Sequence, residues 1–83
     1  MSHAAAGREL YVHYLRKDGR SVAVLRVVEQ DGSCVVEAEV FSQSGGFPSR
    51  PGPYTFADQR QATAFVTDAV EALMYLGCDV AAE

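Results

Sequence analysis

The chain has 83 residues, of which 48% are hydrophobic and 22% charged, with a formal net charge of −4. This length predicts one small domain, the composition excludes global disorder, and the negative charge disfavours a nucleic-acid backbone as partner. No apolar run reaches the ~18 residues that a membrane helix requires, and the N-terminus lacks the pattern of a secretory signal. We therefore expect a cytoplasmic protein that does not bind membranes.

The charges are distributed unevenly along the chain. Residues 1–26 contain five basic and two acidic residues, whereas residues 27–83 contain two basic and nine acidic ones. Such a division can attract an anionic partner to one end of a molecule. It is also the ordinary mixed surface of a soluble domain, and we favour that interpretation.

Residues 1–83 are predicted to form a single domain in which "MSHAAAG", residues 1–7, is a disordered tail. The two cysteines, Cys34 and Cys78, match neither a zinc-site spacing nor a C-x-x-C motif. In a cytosolic protein such cysteines stay reduced. We therefore predict two buried thiols that serve as small apolar groups.

The segment "ELYVHYLRKDGRSVAVLRVVEQDGSCVVEAEVFS" predicts three strands joined by two tight hairpins. The hairpin signals are the pairs Asp18-Gly19 and Asp31-Gly32, because Asp and Gly tolerate the positive φ of type I′ turns. Between the turns, β-branched and aromatic residues predominate, as is typical of strands.

The alternation of side chains assigns faces to these three strands. In strand three, Glu37 and Glu39 point away from an apolar face. Strand two is apolar on both faces, which indicates that both faces of the sheet are covered. Strand one is likewise largely apolar on both faces. The predicted apolar sets are Cys34, Val36, Ala38 and Val40; Ala23, Leu25 and Val27; and Leu10, Val12 and Tyr14 opposite Tyr11, His13 and Leu15.

A long loop, "SQSGGFPSRPGP" at residues 42–53, follows strand three and contains all three prolines. It matches no phosphate-binding motif, and its P-x-x-P match is a weak signal for a docking peptide. We interpret it as a stiffened, exposed connection that presents Phe47 and Arg50 at the rim of a dimer or ligand surface. The short segment "YTF" after it predicts a fourth strand.

A helix is predicted from Asp58, its N-cap, to about Leu76, with Gly77 as a left-handed stop. Gln61 completes a capping-box pattern with Asp58. The i, i+3, i+4 spacing indicates an amphipathic helix. Its core stripe is predicted to be Ala62, Phe65, Val66, Ala69, Leu73 and Leu76.

These elements predict an α+β fold, an antiparallel three- to four-stranded meander followed by one C-terminal helix packed on one face (β-β-β-β-α). The apolar arc of the helix is wider than one core-facing side needs. Together with the two apolar faces of strand two, this surplus predicts a homodimer. The predicted interface residues are Val66, Val70, Met74 and Tyr75.

The sequence contains no catalytic constellation. His13 lies within a strand and has no evident partner, and a strand histidine is more often packed than catalytic. The paired acids Glu37 and Glu39 are typical of solvated charges on an exposed strand. We therefore expect no enzymatic activity, no cofactor and no metal.

The sequence favours a non-enzymatic, homodimeric interaction or regulatory module. The alternative is binding of single-stranded nucleic acid on the sheet, because the order of elements resembles that of Whirly and PUR-type proteins, although no motif is shared. The net charge disfavours this alternative. Its candidate contacts, which also serve for another ligand, are Tyr11, His13, Arg16, Lys17, Arg20, Arg26, Phe47 and Arg50.

Overall fold

The computed structural model describes residues 7–42 and 44–82, so most of the predicted tail at residues 1–7 lies outside the described part. Five strands form one antiparallel sheet in the order β4-β3-β2-β1-β5, and one helix packs on one of its faces. The elements are β1 (Arg8–Lys17), β2 (Arg20–Gln30), β3 (Ser33–Val40), β4 (Tyr54–Phe56), α1 (Gln59–Tyr75) and β5 (Asp79–Ala82). The predicted α+β class is confirmed.

Both predicted hairpins are present. Asp18 and Gly19 have φ angles of 53° and 77°, and Asp31 and Gly32 have φ angles of 52° and 79°. Two successive residues with positive φ are the mark of a type I′ turn, whose twist matches that of the flanking strands. The Asp-Gly pairs therefore determine where β1, β2 and β3 turn.

The fifth strand corrects the predicted strand count. After α1 the chain returns to the sheet, and β5 pairs antiparallel with β1, with Val80 opposite Leu15. The helix is therefore followed by a strand and is not the last element. The sequence "DVAA" contains a single β-branched residue and is too short for a clear alternation, so its strand conformation depends on the free edge of β1.

A bulge in β1 corrects one predicted face. The pairing of β1 with β2 shifts between Glu9 and Tyr11, which leaves Leu10 as an extra residue. Leu10 packs against the core under the helix, whereas Val12 is buried outside that core, opposite Arg26. Leu10 and Val12 therefore do not share a face, because an extra residue inverts the alternation of a strand.

The core lies between α1 and the middle of the sheet. Val27 and Val36, which are neighbours across β2 and β3, have no exposed surface. Burying a valine side chain stabilises a fold by about 1.5–3 kcal/mol. Cys34 and Cys78 are buried free thiols, as predicted. The other members of the core are Leu15, Ala23, Leu25, Ala62 and Val66.

Most of the predicted helix stripe contacts this core. Phe65 packs on the rings of Tyr54 and Phe56, with centroid distances of 5.0 and 5.3 Å, which fastens β4 to the helix. Leu76 is the exception, with 66% of its surface exposed. The helix ends one residue before it, so the 3.6-residue period no longer determines where its side chain points.

The N-terminus of α1 is capped by side chains. Asp58 Oδ1 accepts a hydrogen bond from the Gln61 N–H at 2.9 Å. Gln61 Oε1 accepts one from the N–H of Ala57 at 3.3 Å, one residue before the position that a regular capping box uses. Two backbone donors at the start of the helix are thereby satisfied.

The C-terminus of α1 is a Schellman motif. Gly77 has a φ of 96° and donates its N–H to the Met74 carbonyl at 2.9 Å. The N–H of Cys78 donates to the Leu73 carbonyl at 3.1 Å. This pair of bonds reverses the chain and directs buried Cys78 and then β5 back to the sheet.

We predict that Asp58→Ala lowers the free energy of unfolding by about 1 kcal/mol, because the substitution leaves the Gln61 N–H without its acceptor. Urea denaturation followed by circular dichroism measures the change. The matched control is Asp68→Ala, an exposed aspartate within the same helix. A loss of equal size in both variants would contradict the capping role of Asp58.

Candidate functional site

The helix covers only part of the sheet. α1 packs mainly against β2, β3 and β4, and it also touches β5. Neighbouring strands lie about 4.8 Å apart, so five strands span about 19 Å, whereas a helix is about 10 Å wide. The β1 side of the helix-bearing face is therefore left partly uncovered.

A cavity of about 270 Å³ lies on this uncovered side, and we call it the α1–β1 groove. The hydroxyls of Tyr11 and Thr63 share a hydrogen bond of 2.7 Å that ties β1 to the helix. His13 Nδ1 is buried and has no hydrogen-bond partner among the described residues. The groove is lined by Tyr11, His13, Thr63, Val66, Thr67, Val70 and Glu71.

Exposed apolar side chains cluster where α1 ends and β5 begins. Seven large apolar side chains are exposed in the described part of the chain, and four of them belong to this helix-end patch. Tyr75 is the most exposed of the four, at 92%. The helix-end patch consists of Met74, Tyr75, Leu76 and Val80.

The four predicted dimer residues lie in three different environments. Val66 lines the α1–β1 groove but is 2% exposed and belongs to the core of its own chain, so it offers almost no surface to a partner. Val70 is half-buried and lines the α1–β1 groove. Met74 and Tyr75 are exposed in the helix-end patch. The structure thus leaves three of the four residues accessible.

The opposite face of the sheet combines valines with ion pairs. Arg26 Nε donates to Glu9 Oε1 at 2.9 Å, and Val12 beside this pair is only 2% exposed. Val24 and Val28, on the same face of β2, are half-buried. The two apolar faces of strand two are therefore real, but no helix among residues 7–42 and 44–82 covers the second one.

The long loop folds back over this opposite face. Ser49 pairs with Val40 at the end of β3, and β4 pairs with residues 34–36 of the same strand. Residues 50–53 between these points stand away from β3 as a strap. The cavity of about 350 Å³ beneath it, the strap pocket, is lined by Val24, Arg26, Glu37, Ala38, Glu39, Arg50, Pro51 and Pro53.

An ion pair holds the strap in place. Arg50 donates from Nε and Nη2 to a single oxygen of Glu39, Oε2, at 3.1 and 3.0 Å. The Glu39 side chain is 29% exposed, so this pair is partly desolvated. Arg50, which the sequence analysis placed at the rim of a ligand surface, lines the strap pocket, whereas Phe47 is 97% exposed and does not.

The sheet has a gap in its hydrogen bonding beneath the strap. The N–H and C=O of Val40 both bond to Ser49 at 2.8 Å. Backbone groups alternate sides along a strand, so the N–H and C=O of Ala38 point the same way. They have no backbone partner there among the described residues. Main-chain groups without a protein partner bond to water or to a ligand, so this gap is a place where a ligand can contact the sheet.

The candidate nucleic-acid contacts do not form one surface. Tyr11 and His13 lie in the α1–β1 groove, whereas Arg26 and Arg50 lie on the opposite face and are paired with carboxylates. Phe47 is isolated in the loop. The remaining candidates lie at the β1–β2 turn: Arg16, Lys17 and Arg20. Nucleic-acid binding stays a prediction without a common binding face.

The two acids that were predicted as solvated strand charges, Glu37 and Glu39, lie in different environments. Glu39 is bound to Arg50, whereas Glu37 is exposed and makes no ion pair within the described part of the chain. Residues 7–42 and 44–82 contain no group of three or more side chains that could hold a metal ion. No helix within these ranges is long and apolar enough to span a bilayer.

Two features of these cavities were not predicted from the sequence: the unpaired main-chain groups of Ala38 and the Thr63 hydroxyl that bonds to Tyr11. The unpaired groups of Ala38 carry no side-chain signal, and Thr63 reads as an ordinary exposed helix residue. A signal for the strap did exist, because proline on both sides of Arg50 prevents regular pairing of residues 50–53 with β3.

Comparison of the chain with protein-family models, with curated proteins and with solved structures finds no match. The function must therefore be argued from the geometry of the groove, the patch and the pocket.

We predict that the Ala38 amide exchanges its hydrogen at least roughly tenfold faster than the amides of Glu37 and Val40, because it lacks a backbone acceptor. Hydrogen exchange followed by two-dimensional NMR measures all three amides in one sample. Glu37 bonds toward β2 and Val40 bonds to Ser49, so these two amides are internal controls. Equal protection at the three positions would contradict the gap.

Proposed function

We propose that the chain is a small homodimeric interaction module without enzymatic activity, and that two copies associate through the helix-end patch and the adjoining α1–β1 groove. The observation that carries the proposal is the concentration of four exposed apolar side chains at one end of the molecule. Exposed apolar side chains that are concentrated in one part of a molecule mark interaction sites in soluble proteins.

The partly covered sheet favours a second copy of the chain as the partner. Each copy has an uncovered strip beside α1 and an exposed flank on that same helix. A two-fold axis would place the helix of each copy over the strip of the other. Such an interface is self-complementary, which is the requirement for a closed dimer. Thr63 and Thr67 are short side chains that allow two helices to approach closely.

The opposite face of the sheet is a weaker candidate for association. Its valines are half-buried between the Arg26–Glu9 and Arg50–Glu39 ion pairs. A partner on this face would have to desolvate four charged side chains, which offsets much of the gain from apolar contact. The helix-end patch contains no charged residue, and the adjoining α1–β1 groove contains one, Glu71.

The surroundings of His13 support the absence of enzymatic activity. A general base is oriented by a carboxylate or hydroxyl at hydrogen-bond distance. His13 Nδ1 has no such partner among the described residues, and its ring instead packs edge-on against Tyr11 at 5.3 Å. The groove therefore has the character of a packing surface.

We predict that the chain sediments as a dimer at tens of micromolar concentration and that Met74→Lys with Tyr75→Lys weakens association at least about tenfold. Buried aromatic anchors dominate the energy of interfaces, and two added charges must be desolvated. Sedimentation equilibrium gives the dissociation constant. Lysine in the last helical turn suits the helix dipole, so the fold should survive.

The matched control is Phe47→Lys, which changes an equally exposed apolar residue in the long loop. It should leave the dissociation constant unchanged. A monomer at tens of micromolar, or an equal effect of the loop variant, would refute the proposed interface.

A further inference from the structure

We propose that the strap pocket binds a short zwitterionic peptide of about dipeptide size, with a free ammonium group and a free carboxylate. This pocket lies on the face opposite the helix and is independent of the proposed dimer interface. Its volume of about 350 Å³ is at the lower end of the range for small-ligand sites.

The main chain of Ala38 recognises one extended residue of a peptide. Its N–H and C=O are unpaired among the described residues, although the positions on either side of it in the ladder, Val36 and Val40, are paired. One extended residue of the ligand would donate its N–H to the carbonyl and accept from the N–H through its C=O, as a residue of a neighbouring strand does. The gap spans a single ladder position, so it accommodates one extended residue and excludes a long strand.

Glu37 supplies the site for the ammonium group. It lies directly opposite Arg26 in the register of β2 and β3, yet Arg26 Nε donates to Glu9. Glu37 is therefore an exposed carboxylate on the pocket wall without an ion pair within the described residues. A hydrogen bond from an ammonium group to a carboxylate is stronger than one between neutral groups.

The two arginines supply the site for the carboxylate. Arg50 uses Nε and Nη2 on one oxygen of Glu39, and Arg26 uses Nε on Glu9. Neither ion pair occupies all five N–H donors of a guanidinium group, so each arginine retains donors for a second anion. Both arginines line the same cavity.

The remaining wall is apolar and limits the side chains of the ligand. Val24 lies on the floor, and Pro51 and Pro53 belong to the strap. Proline lacks a backbone N–H and restricts the backbone, so Pro51 and Pro53 cannot donate to the Ala38 carbonyl and the strap does not move freely. Peptides with small side chains, such as alanylalanine, fit these dimensions.

The test uses the full chain, labelled with ¹⁵N and titrated with alanylalanine. We expect the amide signals of Glu37, Ala38 and Glu39 to shift in a saturable manner. N-acetyl-alanylalanine-amide, which keeps the amides but lacks both charges, should bind at least about tenfold more weakly. This comparison requires no substitution in the protein.

Glu37→Gln should weaken binding of alanylalanine at least about tenfold, because it removes the charge that pairs with the ammonium group. The matched control is Asp68→Asn, which also removes one carboxylate charge, at an exposed position of α1 that lines neither cavity, and it should have no effect. Glu37 is exposed, so the variant is expected to fold.

Three results would overturn the proposal: no shift at millimolar alanylalanine, equal binding of the blocked peptide, or shifts confined to the α1–β1 groove. None of these results bears on the oligomeric state, which is measured separately. Failure of this proposal is therefore distinguishable from failure of the proposed dimer.

Discussion

The packing of a single helix on a sheet twice its width is the constraint on which the rest of this structure depends. Val66 and Ala62 bury one stripe of α1 against Val27 and Val36, and this contact forms the core. Because the helix is about half as wide as the five-stranded sheet, Tyr11 and the rest of the groove stay partly uncovered. The same geometry leaves apolar side chains exposed where the helix ends. Association of two copies would satisfy this constraint without adding any new element to the chain.

The two faces of the sheet differ in the chemistry they offer to a partner. The helix-bearing face presents apolar side chains and hydroxyl groups, which favour packing. The opposite face presents two ion pairs, the unpaired carboxylate of Glu37 and the open main chain of Ala38, which favour a small polar ligand. The loop at residues 42–53 creates the second environment, because its strap leaves the edge of β3 at Ser49 and returns only at Tyr54.

Turn, cap and periodicity signals predicted most elements of the fold, but they did not predict the fifth strand or the exposure of Leu76. The Asp-Gly pairs at the two hairpins, the Asp58 cap and the Gly77 stop all lie where the sequence places them, because each depends on backbone conformation within a few residues. The fifth strand was missed because "DVAA" becomes a strand only beside the edge of β1. The exposure of Leu76 was not predicted because α1 ends at Tyr75, so the helical period no longer determines the direction of the Leu76 side chain.

The order of residues along the chain is enough to predict the antiparallel hairpins, the helix with its two caps, the burial of both cysteines and the alternation of Glu37 and Glu39 with apolar residues. These features follow from turn chemistry and periodicity, which act over short distances. Three other features became visible only in the folded chain: Leu76 is exposed, Arg50 closes a pocket over Glu39, and Ala38 lacks a backbone partner among the described residues. These features depend on tertiary contacts between segments that are distant in the sequence, and residue spacing does not predict such contacts.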